Sequence, residues 1–178
     1  MATNEPLATL LSSRTVFEGR VFDLHSDRVA LPNGREATMD VVRHVPSVVL
    51  IPMPDPGHIV LIRQYRYAVN RWLWEVPAGS IDPGEDLLVA AARECHEEIG
   101  QVPVSIVPLG SFLPTPGICD EVMHFFRLDG LVTPPEAADA DEDEIIVPHT
   151  LAVAEALQML ARGEITCMKT AFALSLIG

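Results

Sequence analysis

The sequence has no uninterrupted apolar run near the roughly 18 residues that a membrane-spanning helix needs. Its opening stretch, MATNEPLATLLSSRTVFEG, has no basic start followed by an apolar segment. Neither a membrane span nor a secretory signal is expected. Cysteine is scarce: Cys95, Cys119 and Cys167 are widely spaced and odd in number. They form neither a zinc pattern nor a complete disulfide framework, which points to a reducing, cytoplasmic setting. Basic residues are also few, 12 Lys and Arg against 25 Asp and Glu, for a formal net charge of −13. Such a field repels nucleic-acid backbones and anionic membranes, so neither is expected as a partner. It repels a phosphorylated substrate too, unless cations and a few arginines neutralise the site locally. No internal repeat and no linker between independent domains is visible.

What is present is a chain of 178 residues, 48% of them hydrophobic, too many for a disordered chain. That suffices for one domain with a sizeable core, or one domain plus a small extension. Residues 1–13 read as a loosely held lead. Strand-like pieces follow in 14–31, and Pro32-Asn33-Gly34 is a strong turn signal whose Asn-Gly favours a two-residue hairpin turn. The return strand is expected over 37–44. The antiparallel unit so formed, residues 1–45, is too small to hold its own core and must pack on the rest of the chain or on a second copy.

Residues 46–178 form the main domain. Apolar strands are expected at 47–52 and 58–64, read as a hairpin near the centre of a sheet, with an extended piece at 72–76. A helix is expected over about 86–99, with Leu87, Leu88, Ala91 and Cys95 as its apolar stripe, Ala90 beside it and Gly100 as its stop. Further extended segments are expected at 105–112 and 121–128, an ordered loop between them at 113–120, and a mobile acidic loop at 134–144. A short strand at 145–147 precedes a helix capped by Thr150, and Thr166 is the expected cap of a last helix. Strands with interspersed helices suggest a mixed-sheet α/β or α+β layer structure.

The chain is organised around residues 79–100, GSIDPGEDLLVAAARECHEEIG. Counted from Glu94, Glu97 and Glu98 fall at i+3 and i+4, so the three carboxylates share one side of the helix. They repel one another there, and a hard cation with a preference for oxygen ligands, Mg2+ or Mn2+, offsets the repulsion. The plainer reading of any one glutamate is a solvated helix face. His96 sits between the carboxylates, but its spacing turns it to a different face.

Gly79, five residues, Glu85, seven residues, Arg93-Glu94, then Glu97-Glu98 and Gly100 resembles the Nudix box at every fixed position. Cys95 and Gln101 depart from it, Cys95 standing where a large aliphatic residue is usual and Gln101 where an aliphatic one is. The resemblance extends to the ADP-ribose pyrophosphatases through the lead-in Glu75-Val76-Pro77-Ala78-Gly79, through Thr115-Pro116-Gly117 with Asp120-Glu121, and through Gly163-Glu164-Ile165. It implies a Nudix-type α/β/α sandwich with a mixed sheet, and a homodimer built partly by exchange of the small N-terminal antiparallel sheet. The implied reaction is metal-dependent hydrolysis of the diphosphate bond of a nucleoside diphosphate sugar, foremost ADP-ribose to AMP and ribose 5-phosphate. GDP-mannose or another sugar nucleotide is the alternative. A non-catalytic nucleotide-binding protein of the same fold would be expected to lose box carboxylates, and none is missing.

On this resemblance Glu94, Glu97, Glu98 and the carbonyl of Ala78 hold two or more Mg2+ ions, with Mn2+ as a substitute. Glu85 organises the site, Arg93 orients the carboxylates, and Gly79 and Gly100 are structural. A glutamate of the acidic loop completes the site as base, Glu142 ahead of Glu144, with Glu121 a third candidate that would otherwise support the Pro-Gly loop. Adenine stacking falls to Phe17 or Phe22. Arg43, Arg63 and Arg66 are candidates for the diphosphate or terminal ribose, with structural ion pairs as the competing role. Pro116 and Gly117 would shape the wall near the second ribose.

Overall fold

The apolar runs in the middle of the chain form strands that are covered on both faces. The computed structural model describes residues 5–137 and 145–178, so the acidic-loop candidates Glu142 and Glu144 lie outside the described residues. The described chain divides into two compact units, residues 1–45 with 113–122, and residues 46–112 with 123–178.

The first unit is a three-stranded antiparallel sheet in the order β1 (Thr9–Glu18), β2 (Phe22–Ala30), β3 (Glu36–His44). The expected lead of 1–13 is thus partly strand, because β1 begins at Thr9 and pairs there with Ala30. Two register shifts, at Leu10/Ser12 and Thr15/Phe17, break the period-2 alternation that would have revealed it. The β2–β3 connection is closed by a bond between Leu31 and Arg35, which leaves three residues in the turn rather than two. Gly34 N–H donates to the Leu31 carbonyl and Leu31 N–H to the Arg35 carbonyl, with Gly34 at φ +80°. Pro32 has no N–H to donate to the Arg35 carbonyl, as the residue before a two-residue Asn-Gly turn must, so Leu31 makes that bond, Pro32-Asn33 form the turn and Gly34 is the left-handed step after it. The 113–122 loop is tied to β3: Val42 N–H donates to the Ile118 carbonyl and Asp120 N–H to the Val42 carbonyl.

The second unit holds two sheets, β10–β5–β6 and β7–β4–β9–β8. The strands are β4 (Ser47–Met53), β5 (His58–Arg66), β6 (Arg71–Glu75), β7 (Ala78–Ser80), β8 (Val102–Phe112), β9 (Met123–Val132) and β10 (Ile146–Ala152). Strands β4 and β9 run parallel and the other pairs antiparallel, so the second sheet is mixed. The expected β4–β5 hairpin does not form; the two strands belong to different sheets. β4 is apolar at nearly every position and β5 over Ile59–Ile62, which specifies burial on two faces but not the partner. Alternate residues go to opposite sides. Val49, Ile51, Ile59, Leu61 and Phe125 pack with α2 (Val153–Ala161) and α3 (Met168–Ser175). Val48, Leu50, Val60, Ile62 and Phe126 pack with α1 (Leu87–Ile99). Within this unit the strands form the middle layer between helices, as the mixed-sheet sandwich predicts.

Three local expectations are corrected. Leu88 is exposed, and the inward face of α1 is Leu87, Ala90, Ala91, Glu94, Cys95 and Ile99. Thr150 lies inside β10, opposite Val60, and α2 starts at Val153 without a side-chain cap; a β-branched residue serves a ladder as readily as a helix start. The final helix starts at Met168 with Cys167, not Thr166, at its cap position. Among the described residues no helix is long and apolar enough to cross a membrane. The cap of α1 is Asp86, whose carboxylate accepts from Leu88 N–H at 2.9 Å and Val89 N–H at 3.4 Å. Asp86→Ala is expected to cost about 1 kcal/mol, the usual loss for such a cap, read as a lower midpoint in urea denaturation with an unchanged slope.

Candidate active site

Helix α1 places Glu94, Glu97 and Glu98 on neighbouring positions of one side, and the turn before it brings back Glu85. That turn is closed by Glu85 N–H donating to the Asp82 carbonyl at 3.0 Å, and Glu85 Oε2 in return accepts from Asp82 N–H at 3.1 Å. Arg93 then gathers the group. Its Nε and Nη2 donate to Glu85 Oε1 and Oε2, each at 2.9 Å, as a fork. Its Nη1 donates to Glu94 Oε1 and Glu97 Oε2, each at 2.8 Å, and Nη2 also donates to the Ser80 carbonyl at 3.0 Å. All five guanidinium N–H donors thereby find acceptors. The Arg93 hydrogen bonds hold the Glu85 carboxyl down at about 2, against the opposing effect of burial.

Glu94 is 8% exposed, an unusual position for a carboxylate. Gly79 makes room for it. A Cβ built on Gly79 would lie 1.9 Å from Glu94 Cδ and about as close to both carboxylate oxygens. Gly79 is held in place by pairing of β7 with β4, opposite Val48. Glu98 Oε1 accepts from Ala78 N–H at 3.3 Å, joining the helix to the strand on the residue before the glycine. Gly100 closes the helix at φ +69°. Among the described residues, no three His, Cys, Asp or Glu side chains are drawn tightly enough together to form a ready metal cage. Arg93 takes up Glu94 and Glu97 instead. Three carboxylates on one guanidinium, with Glu98 on the same helix as a fourth, leave a formal excess of three negative charges.

His96 turns aside from this group, with Nε2 3.2 Å from the Glu136 carbonyl oxygen. Burial, with the Glu98 charge, pushes the Cys95 thiol up to about 12, so it stays protonated and serves as packing.

The arginines proposed for substrate are engaged in contacts of their own. Arg66 forms a fork with Glu75, at 3.1 and 3.0 Å. Arg63 donates to the Trp72 carbonyl at 3.1 Å and lies 5.0 Å over the Trp74 ring, which meets His149 edge-on. In the first unit, Arg43 bridges the buried Asp27 and the loop residue Asp120, which also accepts from His44 N–H. Phe17 pairs with Phe22 at 6.1 Å, and both rings are largely exposed. Pro116 and Gly117 are exposed, and Glu121 is half-buried beside His44 at 4.0 Å.

Two sets of buried polar contacts escaped the sequence reading. Asp27 is 3% exposed and accepts from Ser13 Oγ at 2.6 Å as well as from Arg43; nothing in the run of β2 marks it. Glu75 is also 3% exposed and is approached by Lys169 Nζ at 3.2 Å. Burial alone would raise its carboxyl, but the hydrogen bonds of Arg66 and the charge of Lys169 outweigh that and lower it. A lone acid in the apolar run Trp72–Val76 was the available signal, since a buried charge demands a partner.

Comparison with known proteins places this geometry. Residues 43–168 match the model of the NUDIX domain, and residues 9–42 match that of the nucleoside diphosphate sugar hydrolase N-terminal domain. The chain is similar to the ADP-ribose pyrophosphatase of Bacillus subtilis (strain 168), 31% identical over 164 residues, 92% of this chain and 89% of that protein. It is 37% identical over 163 residues to the methanol dehydrogenase activator of Bacillus methanolicus, covering 92% of this chain and 88% of that one. A solved structure described as an ADP compounds hydrolase superposes with a TM-score of 0.83 at 26% identity, over 97% of this chain and 92% of that one.

Two outcomes follow from the geometry. Gly79→Ala is expected to displace the Glu94 carboxylate and to destabilise the protein by about 1–3 kcal/mol, the range for overpacking, read by chemical denaturation. Glu85 is lowered in the folded state, so its contribution is complete above its ordinary value of 4.5 and is lost as pH falls toward about 2. Arg93→Met should flatten the acid limb of stability over that window, measured by unfolding at stepped pH.

Proposed function

The chain belongs to the Nudix hydrolase family, and we propose that it hydrolyses the diphosphate bond of a nucleoside diphosphate sugar, chiefly ADP-ribose to AMP and ribose 5-phosphate. The observation that carries this reading is the complete carboxylate group: Glu85, Glu94 and Glu97 held by Arg93, and Glu98 on the same helix held by the Ala78 N–H. Similarity to an ADP-ribose pyrophosphatase and to the N-terminal domain of nucleoside diphosphate sugar hydrolases supports the substrate class.

The donors fit a divalent cation of the hard type. They are all oxygens, they carry excess negative charge, and Gly79 keeps open the cradle in which Glu94 sits. We assign Glu94, Glu97, Glu98 and the Ala78 carbonyl as the groups that hold two or more Mg2+ ions, Mn2+ substituting. When bound, such ions neutralise the non-bridging phosphate oxygens, lower the pKa of a water and stabilise the leaving phosphate. Arg93 holds the carboxylates in a fixed arrangement, with Glu85 holding Arg93 in turn. The base is assigned to Glu142, with Glu144 as the second choice. Arg63, Arg66 and Arg43 are the charged candidates for substrate contact, Phe17 the stacking candidate, and Pro116, Gly117 and Glu121 the loop candidates.

The working form proposed is a cytoplasmic homodimer. Its support is the N-terminal sheet, where Leu10, Leu11, Val16 and Phe17 are all 45–55% exposed along β1. An apolar surface of that kind on one strand needs covering.

Assay of the purified protein with Mg2+ should give AMP and ribose 5-phosphate from ADP-ribose faster than products from GDP-mannose. Chelation should abolish turnover and Mg2+ should restore it. Glu98→Gln is expected to lower kcat by about 100- to 1,000-fold, the scale for loss of one electrostatic stabiliser. Absence of turnover on every sugar nucleotide by folded protein, under varied divalent metals, overturns the reading. Sedimentation velocity checks the dimer.

A further inference from the structure

The segment joining β6 to β7 is restrained at four successive residues. Glu75 is held by the Arg66 fork and by Lys169. Val76 N–H donates to Thr170 Oγ1 at 3.0 Å. The Pro77 carbonyl accepts from Leu50 N–H at 2.9 Å, and Ala78 N–H donates to Glu98. Two of these restraints come from consecutive residues in the first turn of α3, and α3 carries none of the box residues. Thr170 is fully buried, and Lys169 is 11% exposed at its side chain.

We propose that Lys169 and Thr170 are positioning residues for the metal-holding edge, fixing the Ala78 carbonyl and Gly79 opposite Glu94 and Glu98. The proposal rests on the reading of those groups as metal-holding. The path from α3 to Ala78 is short and stiff. Pro77 has a fixed φ and confines Val76 to extended backbone, so a displacement of Val76 passes to Ala78 with little slack. Thr170 spends its hydroxyl on Val76, and Lys169 its ammonium on Glu75, so both restrain the strand rather than their own helix. Outer groups that orient metal ligands commonly govern affinity for the metal as strongly as they govern packing.

The test is Mn2+ titration by calorimetry on the full chain and on four variants, with melting curves to establish folding. Thr170→Val keeps the shape and removes the acceptor; Lys169→Met keeps the stem and removes the charge. Both are expected to bind Mn2+ about 10-fold or more weakly, whereas Thr170→Ser, which retains the hydroxyl, stays near the parent. Parent-like affinity in folded Thr170→Val and Lys169→Met overturns the positioning role. Should Thr170→Val not fold, Lys169→Met decides: weakened binding supports the role and parent affinity overturns it. Glu98→Gln separates the two levels. Weak binding there with full affinity in the α3 variants sinks the positioning role alone. A parent that binds no Mn2+, or a Glu98→Gln variant that binds as the parent does, overturns the metal reading and the proposal with it.

Discussion

Everything in the box depends on one guanidinium. Two like charges 4 Å apart repel by about 4 kcal/mol at an effective dielectric of 20, and here four carboxylates share one short helix and the turn before it. Arg93 is hydrogen-bonded to three of them, Glu85, Glu94 and Glu97, through four of its five donors. A lysine would supply the charge but not the planar fork that takes Glu85 at both oxygens. The same side chain bonds the Ser80 carbonyl, so the charge balance and the approach of β7 to α1 are one arrangement.

The second constraint is steric. A carboxylate that is 8% exposed must have a space made for it, and the space is the missing side chain of Gly79. The glycine is therefore part of the Glu94 site as fully as any ligand. The mixed sheet supplies the rigidity: β4, buried at every position, holds β7 on one side and β9 on the other. Small residues on α1, Ala90 and Ala91, let the helix lie close over that strand.

How much was legible follows from how local each feature is. The box was readable because helical geometry converts sequence spacing directly into a shared face, and Asp86 to Gly100 brought its own start and stop. The strands at β4 and β5 were visible as apolar runs, yet their partners were not, because pairing is decided by residues far along the chain. Hydroxyl residues misled at Thr150 and Thr166, since a threonine that can cap a helix also suits a strand or a loop. Leu88 was assigned inward by its apolar character, while the acid Glu94 took the inward place. Lys169 and Thr170 left no trace in the sequence, because their role exists only once a distant strand arrives beside them.

That distance bears on how the protein comes to exist. The bond from Val76 to Thr170 spans 94 residues. Contacts of such separation form late, after the loop between them has been closed at an entropic cost. During synthesis the glutamates of α1 are made, and can become helical, well before residues 169 and 170 are added. A nascent chain thus carries its cluster of negative charge for a time without the clamp on the neighbouring strand, and the strand edge acquires that restraint only once residues 169 and 170 have been made.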